Sequence, residues 1–448
     1  MQLFRLLRVR LEKAPPFLII VISSLSAFSI YVCTYAYRKG FTADTFEGQL
    51  FWGVDYKILL VIAQVIGYAS SKFIGIRFIA EIKSSNRFYF IISLILLSWL
   101  ALLGFALTKP PWGILWMLLN GLPLGLIWGL IFSYLEGRRS TELLAAVLCT
   151  SFIFSSGFVK SIGQLLLHKF HVAPHWMPFT IGALFLLPLV VFTILLDLTP
   201  KPDIKDLESR MQRVPMFAAD RKAFLQEFWP GIIFNLVLYI ALTVTRDIRD
   251  FFEVEIWKDF FRGTLPVFIY TTVDGPVSIG ILGLMSLLIF VKNNLRAFQL
   301  AHFAIATGFI VIAFISFSYR AGVVAPYMLM YALAFGLYLS YVPYSIFFFE
   351  RLIAVFKVKG NVGFLIYLAD SIGYTGSLLV MLYKQFGSAT ISWSVFFLNL
   401  VTGVAVIGLI CIFLSGLFFM RKYFRSNKSQ TKERTALSLV SESANKDF

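Results

Sequence analysis

The chain has 448 residues, 58% of them hydrophobic and only 14% charged, which leaves too little polar surface to solvate a water-soluble globule of this size. A soluble enzyme is therefore excluded, and the net charge of +16 reads as loop charge that orients helices rather than as a nucleic-acid footprint. Cys33, Cys149 and Cys411 all lie in apolar runs without disulfide or metal-ligand spacing, the pattern of small core residues.

A helix needs roughly 20 apolar residues to cross the bilayer core, because backbone polar groups cannot stay unpaired in hydrocarbon. Twelve runs qualify: 16–37, 56–79, 88–107, 112–135, 142–167, 176–197, 229–249, 274–291, 297–319, 324–349, 361–383 and 393–419. Arg5, Arg8, Arg10 and Lys13 flank the first run, but no small-residue cleavage site follows it and eleven further spans do, so it is expected to be retained. If the N-terminus is cytoplasmic, 27 of the 40 Lys and Arg residues fall on its side and 10 on the other, with Lys57, Lys72 and Lys160 inside spans. That bias predicts a multi-pass protein of the cell membrane with both termini in the cytoplasm. The tail from Arg421 is rich in Ser, Lys and Thr and poor in large apolar groups, a composition expected to be disordered and solubilising, or to touch anionic lipid.

The expected architecture is all-α, with twelve transmembrane helices in two pseudo-symmetric six-helix bundles. Residues 1–197 form the N-terminal bundle, 198–228 a cytoplasmic linker, 229–419 the C-terminal bundle and 420–448 the basic tail. The duplication rests on recurring charges: Lys83 and Arg87 reappear as Lys292 and Arg296 after 209 residues, Arg38 and Arg246 are 208 apart, and Glu136 and Glu350 are 214 apart. Gly121, Gly125 and Gly129 recur every four residues in the fourth span, a small-residue face for close helix packing, and Gly373 and Gly376 repeat it loosely in the eleventh.

Ions at membrane depth cost about 2.5 to 3.5 kcal/mol even on permissive scales, so those present should face a cavity or a partner. Lys72 and Lys160 sit in helix stretches of small and polar residues, while Arg38 with Lys39, and Arg246 with Arg249, sit near the ends of the first and seventh spans. Against them stand Asp250, Asp274 and Asp370. Cations converging on a wet cleft would bind an anion, with Arg offering a planar fork for phosphate or carboxylate. The competing readings are that Arg38 and Lys39 snorkel to the interface, and that Lys160 pairs with Asp370 for stability. His168, His171 and His175 lack a nearby Cys or carboxylate, so an exposed loop cluster is expected rather than a metal site, and no cofactor is called for.

At these residues the chain resembles the major facilitator superfamily, and within it the organophosphate:phosphate antiporter branch. Tyr35-Ala36-Tyr37-Arg38-Lys39-Gly40-Phe41 resembles that branch's Tyr-x-x-Arg-Lys-x-Phe segment, whose arginine binds substrate phosphate. Tyr68, Ser71, Lys72, Phe73 and Ile74 resemble its Tyr-Gly-Phe-Ser-Lys-Phe-Ile run, and Ser85-Asn86-Arg87 the end of its cytoplasmic loop. Asp274-Gly275-Pro276, Gly283-Leu284-Met285-Ser286 and Gly373-Tyr374-Thr375-Gly376-Ser377 are similar to further elements of the branch. The chain departs from the family at Glu81 to Arg87, which shortens the usual Asp-Arg-x-Gly-Arg-Arg loop. It departs again at Arg246-Asp247-Ile248-Arg249-Asp250, where a single arginine is usual, and at Lys160, where the antiporters carry histidine. The double-arginine segment also suits an uncharacterised bacterial subfamily, for which the resemblance implies the fold and no substrate.

The resemblance and the charges together imply a secondary transporter of a small organic anion, phosphorylated or not, working by alternating access. Arg38, Lys72, Lys160, Arg246 and Arg249 are the expected substrate ligands, with either of the last two as the second clamp. Lys39, Asp250, Asp274 and Asp370 are expected to gate or couple, with Lys39 pairing with Asp250 or Asp274 across the halves. Apart from the bilayer and the anion no partner is expected, and a monomer suffices. The alternatives are a proton-coupled symporter in which Asp370 or Asp274 titrates, and a sensor that keeps the transporter fold. An intramembrane enzyme lacks a metal set or Ser/His pair at membrane depth.

Overall fold

The computed structural model describes residues 2–81, 86–202, 218–261, 263–356, 362–387 and 391–444. Lys83, Ser84 and Ser85 of the shortened loop, the middle of the linker (203–217) and the last four residues lie outside them. A short helix α1 (Gln2–Glu12) precedes α2 (Pro16–Lys39), which begins on a proline where a missing N–H costs nothing and tightens into a 3-10 turn at Gly40–Ala43. A two-residue hairpin, β1 (Leu50–Phe51) with β2 (Val54–Asp55), leads to α3 (Tyr56–Glu81). The sequence gives no warning of this hairpin. The N-terminal half continues with α4 (Arg87–Leu107), α5 (Gly113–Leu124), α6 (Ile127–Leu135), α7 (Thr141–His168) and α8 (Met177–Leu198). Pro123 removes a helix hydrogen bond just before Gly125, and the fourth span accordingly breaks there into α5 and α6.

The C-terminal half comprises α9 (Ala218–Phe260), α10 (Ile269–Ile289), α11 (Asn294–Arg320), α12 (Pro326–Pro343), α13 (Phe349–Phe356), α14 (Val362–Gly387) and α15 (Trp393–Ala444). A π-helical turn at Tyr344–Phe348 joins α12 to α13 directly after Pro343. Helix extends farthest beyond the expected limits at two places. α9 starts inside the linker and runs eleven residues past 249, with a kink at Phe252, and α15 carries through Arg421 to Ala444 where disorder was expected. Hydropathy lost the end of α9 because its last three turns are charged. In the tail, good helix formers such as Lys432, Glu433, Arg434, Ala436 and Leu437 let the helix propagate.

Among the described residues ten helical stretches are long and apolar enough to cross a membrane. α3 and α14, the expected second and eleventh spans, are 26 residues each, about 39 Å at 1.5 Å per residue. Lipid-facing side chains such as Leu97, Leu187, Ile279, Phe303 and Phe413 are exposed on the bundle surface, as a bilayer environment requires. The chain is an all-α polytopic membrane protein.

The same neighbours recur in each half. α2 packs on α7 and α8 as α9 packs on α14 and α15, and α4 lies against α5 and α8 as α11 lies against α12 and α15. The halves meet where α7 crosses α10 and where α3 approaches α14. Glycine makes the closest crossings possible. A Cβ on Gly121 would lie 2.2 Å from the Gln64 carbonyl oxygen, one on Gly67 2.2 Å from that of Leu118, and one on Gly157 of α7 2.3 Å from that of Tyr270 on α10. These are backbone atoms that cannot swing away. Gly121→Leu is therefore expected to lower stability by about 1 to 3 kcal/mol or more, through overpacking of α5 on α3, read as a fall in the unfolding midpoint of the detergent-purified protein.

Candidate functional site

The two halves enclose a cavity of about 80 Å³ at the centre of the bundle, lined by Tyr31, Tyr35 and Arg38 of α2, Tyr68 and Lys72 of α3, Trp128 of α6 and Cys149 and Phe152 of α7. The other half contributes Tyr239, Arg246, Asp247 and Asp250 of α9, Tyr341 and Ser345 around the π turn, and Asp370 and Tyr374 of α14. Arg38, Lys72 and Arg246 thus converge, as expected of cations meeting in one chamber. Arg246, not Arg249, is the seventh-span arginine that faces it.

Each cation is held differently. Gln64 donates 2.7 Å hydrogen bonds to the Arg38 carbonyl and to Asn120 Oδ1, and Asn120 donates in turn to the Tyr37 carbonyl and to Ser98, so the end of α2 is fixed by a buried polar network. The Arg38 guanidinium stacks 3.7 Å from the centre of the Tyr68 ring, and among the described residues no carboxylate lies within ion-pairing distance of it. Arg246 is anchored on its neighbour Asp247 at 2.9 Å and donates to the Tyr341 hydroxyl. Asp247 is itself held by Ser377 at 2.8 Å. Lys72 crosses to Asp370 at 2.5 Å, and Asp370 accepts a second 2.5 Å bond from Tyr239.

On the face remote from the chain termini, the distal face, the cavity is closed by buried ion pairs between the halves. Asp250 is met by four groups, all from the other half: it accepts hydrogen bonds from Tyr35 at 2.6 Å on one oxygen and from Ser156 at 2.6 Å and Lys160 at 3.0 Å on the other, and the Lys39 ammonium forms an ion pair with the first oxygen at 2.7 Å. Lys160 also lies 3.1 Å from Glu253, and Lys57 pairs with Glu255 at 2.6 Å. The expected Lys39 pairing thus falls on Asp250. Three expectations are corrected. Lys160 does not line the cavity and does not meet Asp370, because its helix turn faces Asp250 and Glu253. Arg249 is fully buried between Glu253 at 3.0 Å and Asp274 at 2.5 Å. Asp274 consequently serves Arg249 and not Lys39. On the opposite, proximal face, Glu142 and Arg351 pair at 3.1 Å, both partly exposed.

Seven cations (Arg38, Lys39, Lys57, Lys72, Lys160, Arg246, Arg249) therefore face six carboxylates (Asp247, Asp250, Glu253, Glu255, Asp274, Asp370) at the heart of the protein. Among the described residues the formal surplus is one positive charge, and Arg38 is the cation of this set without a carboxylate partner. Asp247, Glu253, Glu255 and the tyrosines that steady the ions were not singled out from the sequence. The three-residue spacing of Asp247, Asp250 and Glu253 was the available signal, since it puts carboxylates on one side of a helix. His168 and His171 are exposed and border a second cavity of about 350 Å³ on the distal face together with Asp44, Gln164 and Lys258. No His, Cys, Asp and Glu group suited to a metal ion occurs among the described residues.

The fold has counterparts among solved structures of transporters. A crystal structure of a D-xylose-proton symporter superposes with a TM-score of 0.58 at 13% identity, covering 90% of this chain and 97% of that one. The nucleoside transporter NupG gives 0.56 at 14%, covering 89% and 99%. The xylose transporter XylE from E. coli, in an inward-open conformation, gives 0.55 at 12%, covering 89% and 95%. At these identities the likeness establishes the fold. No curated protein matches the sequence. The chain belongs to DUF5690, a family of unknown function whose model matches residues 40–422.

The distal ion pairs carry a testable consequence. Removing one partner of a buried pair strands the other charge, at about 3 to 5 kcal/mol. Lys57→Ala and Glu255→Ala are each expected to be strongly destabilising and the double variant much less so, a coupling that a double-mutant cycle on unfolding midpoints measures directly.

Proposed function

We propose that this protein is a secondary transporter that moves a small organic monoanion across the cell membrane by alternating access of its central cavity. The observation that carries the reading is Arg38, a buried guanidinium without a carboxylate partner in a chamber where every other cation is neutralised. An uncompensated charge out of water is costly, and a carboxylate or phosphate group bearing one negative charge would remove that cost while using the guanidinium's paired donors. Arg246 and Lys72 reach the same cavity from opposite halves and raise its positive potential. Among the described residues the hydroxyls of Tyr31 and Tyr68 also make no hydrogen bond, so an anion carrying hydroxyl groups suits the cavity better than a purely apolar one. The motifs shared with organophosphate:phosphate antiporters fit such a substrate, and exchange against phosphate is the corresponding mode. The positive bias of the loops supports cytoplasmic termini, and a single copy contains the whole site.

A second reading has its own support. One of the similar structures is a D-xylose-proton symporter, and this cavity is bordered by Asp250, Asp370 and six tyrosines, groups suited to an uncharged polyhydroxylated solute taken up with a proton. Uptake into vesicles separates the two: exchange that requires internal phosphate belongs to the antiporter, and uptake driven by an imposed pH gradient to the symporter.

A thermal-shift screen of purified protein against phosphate, sugar phosphates, hydroxy acids and neutral sugars tests the anion reading. An anion at a hundred times its Kd is expected to add about 2.7 kcal/mol. Arg38→Ala should weaken its binding roughly 10- to 100-fold, since a charge-assisted bond contributes about 1.5 to 3 kcal/mol. Neutral sugars that stabilise parent and variant equally, with no anion doing so, would defeat it.

A further inference from the structure

The buried ion pairs that close the distal face are sorted by half. Among the described residues, the buried ion pairs that cross on the distal face take their cations from the N-terminal half (Lys39, Lys57, Lys160) and their carboxylates from the C-terminal half (Asp250, Glu253, Glu255). Parting the halves on that face therefore leaves the C-terminal side short of positive charge. Asp250 and Glu255 gain access to water in doing so. Glu253 is different, because it sits fully buried beside Asp274, and both bond the same Nη2 of Arg249, at 3.0 and 2.5 Å.

In the closed arrangement this pocket balances: Lys160 and Arg249 against Glu253 and Asp274. Withdrawal of Lys160 with α7 leaves two carboxylates on one guanidinium, a net negative charge in a buried place. Two carboxylates that close do not both stay ionised without compensation; they share a proton. The oxygens to receive it are present. Asp274 Oδ2 and Glu253 Oε2 are buried without a hydrogen-bond partner among the described residues. Lys160 Nζ faces the latter at 3.1 Å, so the position that the ammonium leaves is the one a proton fills. The groups around the pair are Lys160 from α7, Asp250 and Arg249 from α9, Tyr270 from α10 and Tyr338 from α12.

We propose that Glu253 and Asp274 form a single proton-binding site that fills when the distal face opens and empties when Lys160 returns. The proton comes from the solution on that side and adds to one carboxylate oxygen; on closure it leaves to solution as Lys160 restores the ion pair. The proposal rests on the transport reading for its rocking halves, but it concerns a site separate from Arg38 and couples opening of the distal face to a proton whichever substrate the cavity takes.

The test needs no substrate. Spin labels at Glu47→Cys and Val323→Cys, exposed distal positions on opposite halves, are introduced into protein whose Cys33, Cys149 and Cys411 are replaced by serine. Their distance distribution is recorded in lipid from pH 8 to pH 5, with no organic anion beyond a zwitterionic buffer. The open population is expected to grow as pH falls, by at most about tenfold per pH unit for one proton. Glu253→Gln, and independently Asp274→Asn, should flatten that response, while Glu253→Asp retains it. A distribution that ignores pH in the parent overturns the proposal. So does a response that survives both amide variants, which would assign it to His168, His171 or Asp250. Failure of the anion screen leaves this outcome unaffected, because no anion enters the measurement.

Discussion

A carboxylate in a low-dielectric interior must be neutralised where it stands, and Asp250 shows how this protein meets that requirement. Its two oxygens meet three hydrogen-bond donors and the Lys39 ammonium, none of them from its own half. The contact is consequently satisfied only when the halves are closed against each other. Breaking it exposes one carboxylate on one side and two ammonium groups on the other, and water must enter to solvate all three. Closure of the distal face and exclusion of water from the central cavity are thus one event. The glycine crossing of α7 on α10 brings the backbones near enough for these short side-chain bridges to form.

The sorting of charge gives the two halves different chemistry although their helices are arranged alike. Around the cavity and the buried distal pairs, the N-terminal half presents Arg38, Lys39, Lys57, Lys72 and Lys160, and the C-terminal half presents six carboxylates with two arginines that are tied to them locally. Four of the five N-terminal cations are matched across the interface and one is not. Arg38 and Arg246, 208 residues apart on the first helix of each half, illustrate the divergence: Arg246 carries its own counter-ion in Asp247, whereas Arg38 lies on the face of Tyr68 with no carboxylate partner among the described residues. A pseudo-symmetric scaffold has in this way acquired one unbalanced position.

Much of the fold was legible in the sequence because hydrocarbon imposes a length and a composition on anything that crosses it. The span limits agree with the helices to within about five residues except where charge interrupts hydropathy, at both ends of α9, after Glu350 in α13 and beyond Arg421. The cavity cations Arg38, Lys72 and Arg246 were legible for the same reason, since an ion at membrane depth needs an explanation. Partner choice was not. Whether Lys160 meets Asp250 or Asp370, and whether Lys39 meets Asp250 or Asp274, depends on helix rotation and on the kink at Phe252, which no spacing rule supplies. Glu253 and Glu255 were missed because α9 runs on past 249, where the apolar pattern stops.

The claim on which the account stands is that Arg38 is the one unmatched cation of the central chamber and receives an anion there. Crystals of the protein soaked in bromide, measured at the bromine absorption edge, test it whatever the natural substrate is. An anomalous peak is expected within about 3.5 Å of the Arg38 guanidinium, the reach of a charge-assisted contact to a large anion, and is expected to disappear in Arg38→Ala. Peaks confined to surface lysines, with the chamber empty of bromide in the parent, would contradict it.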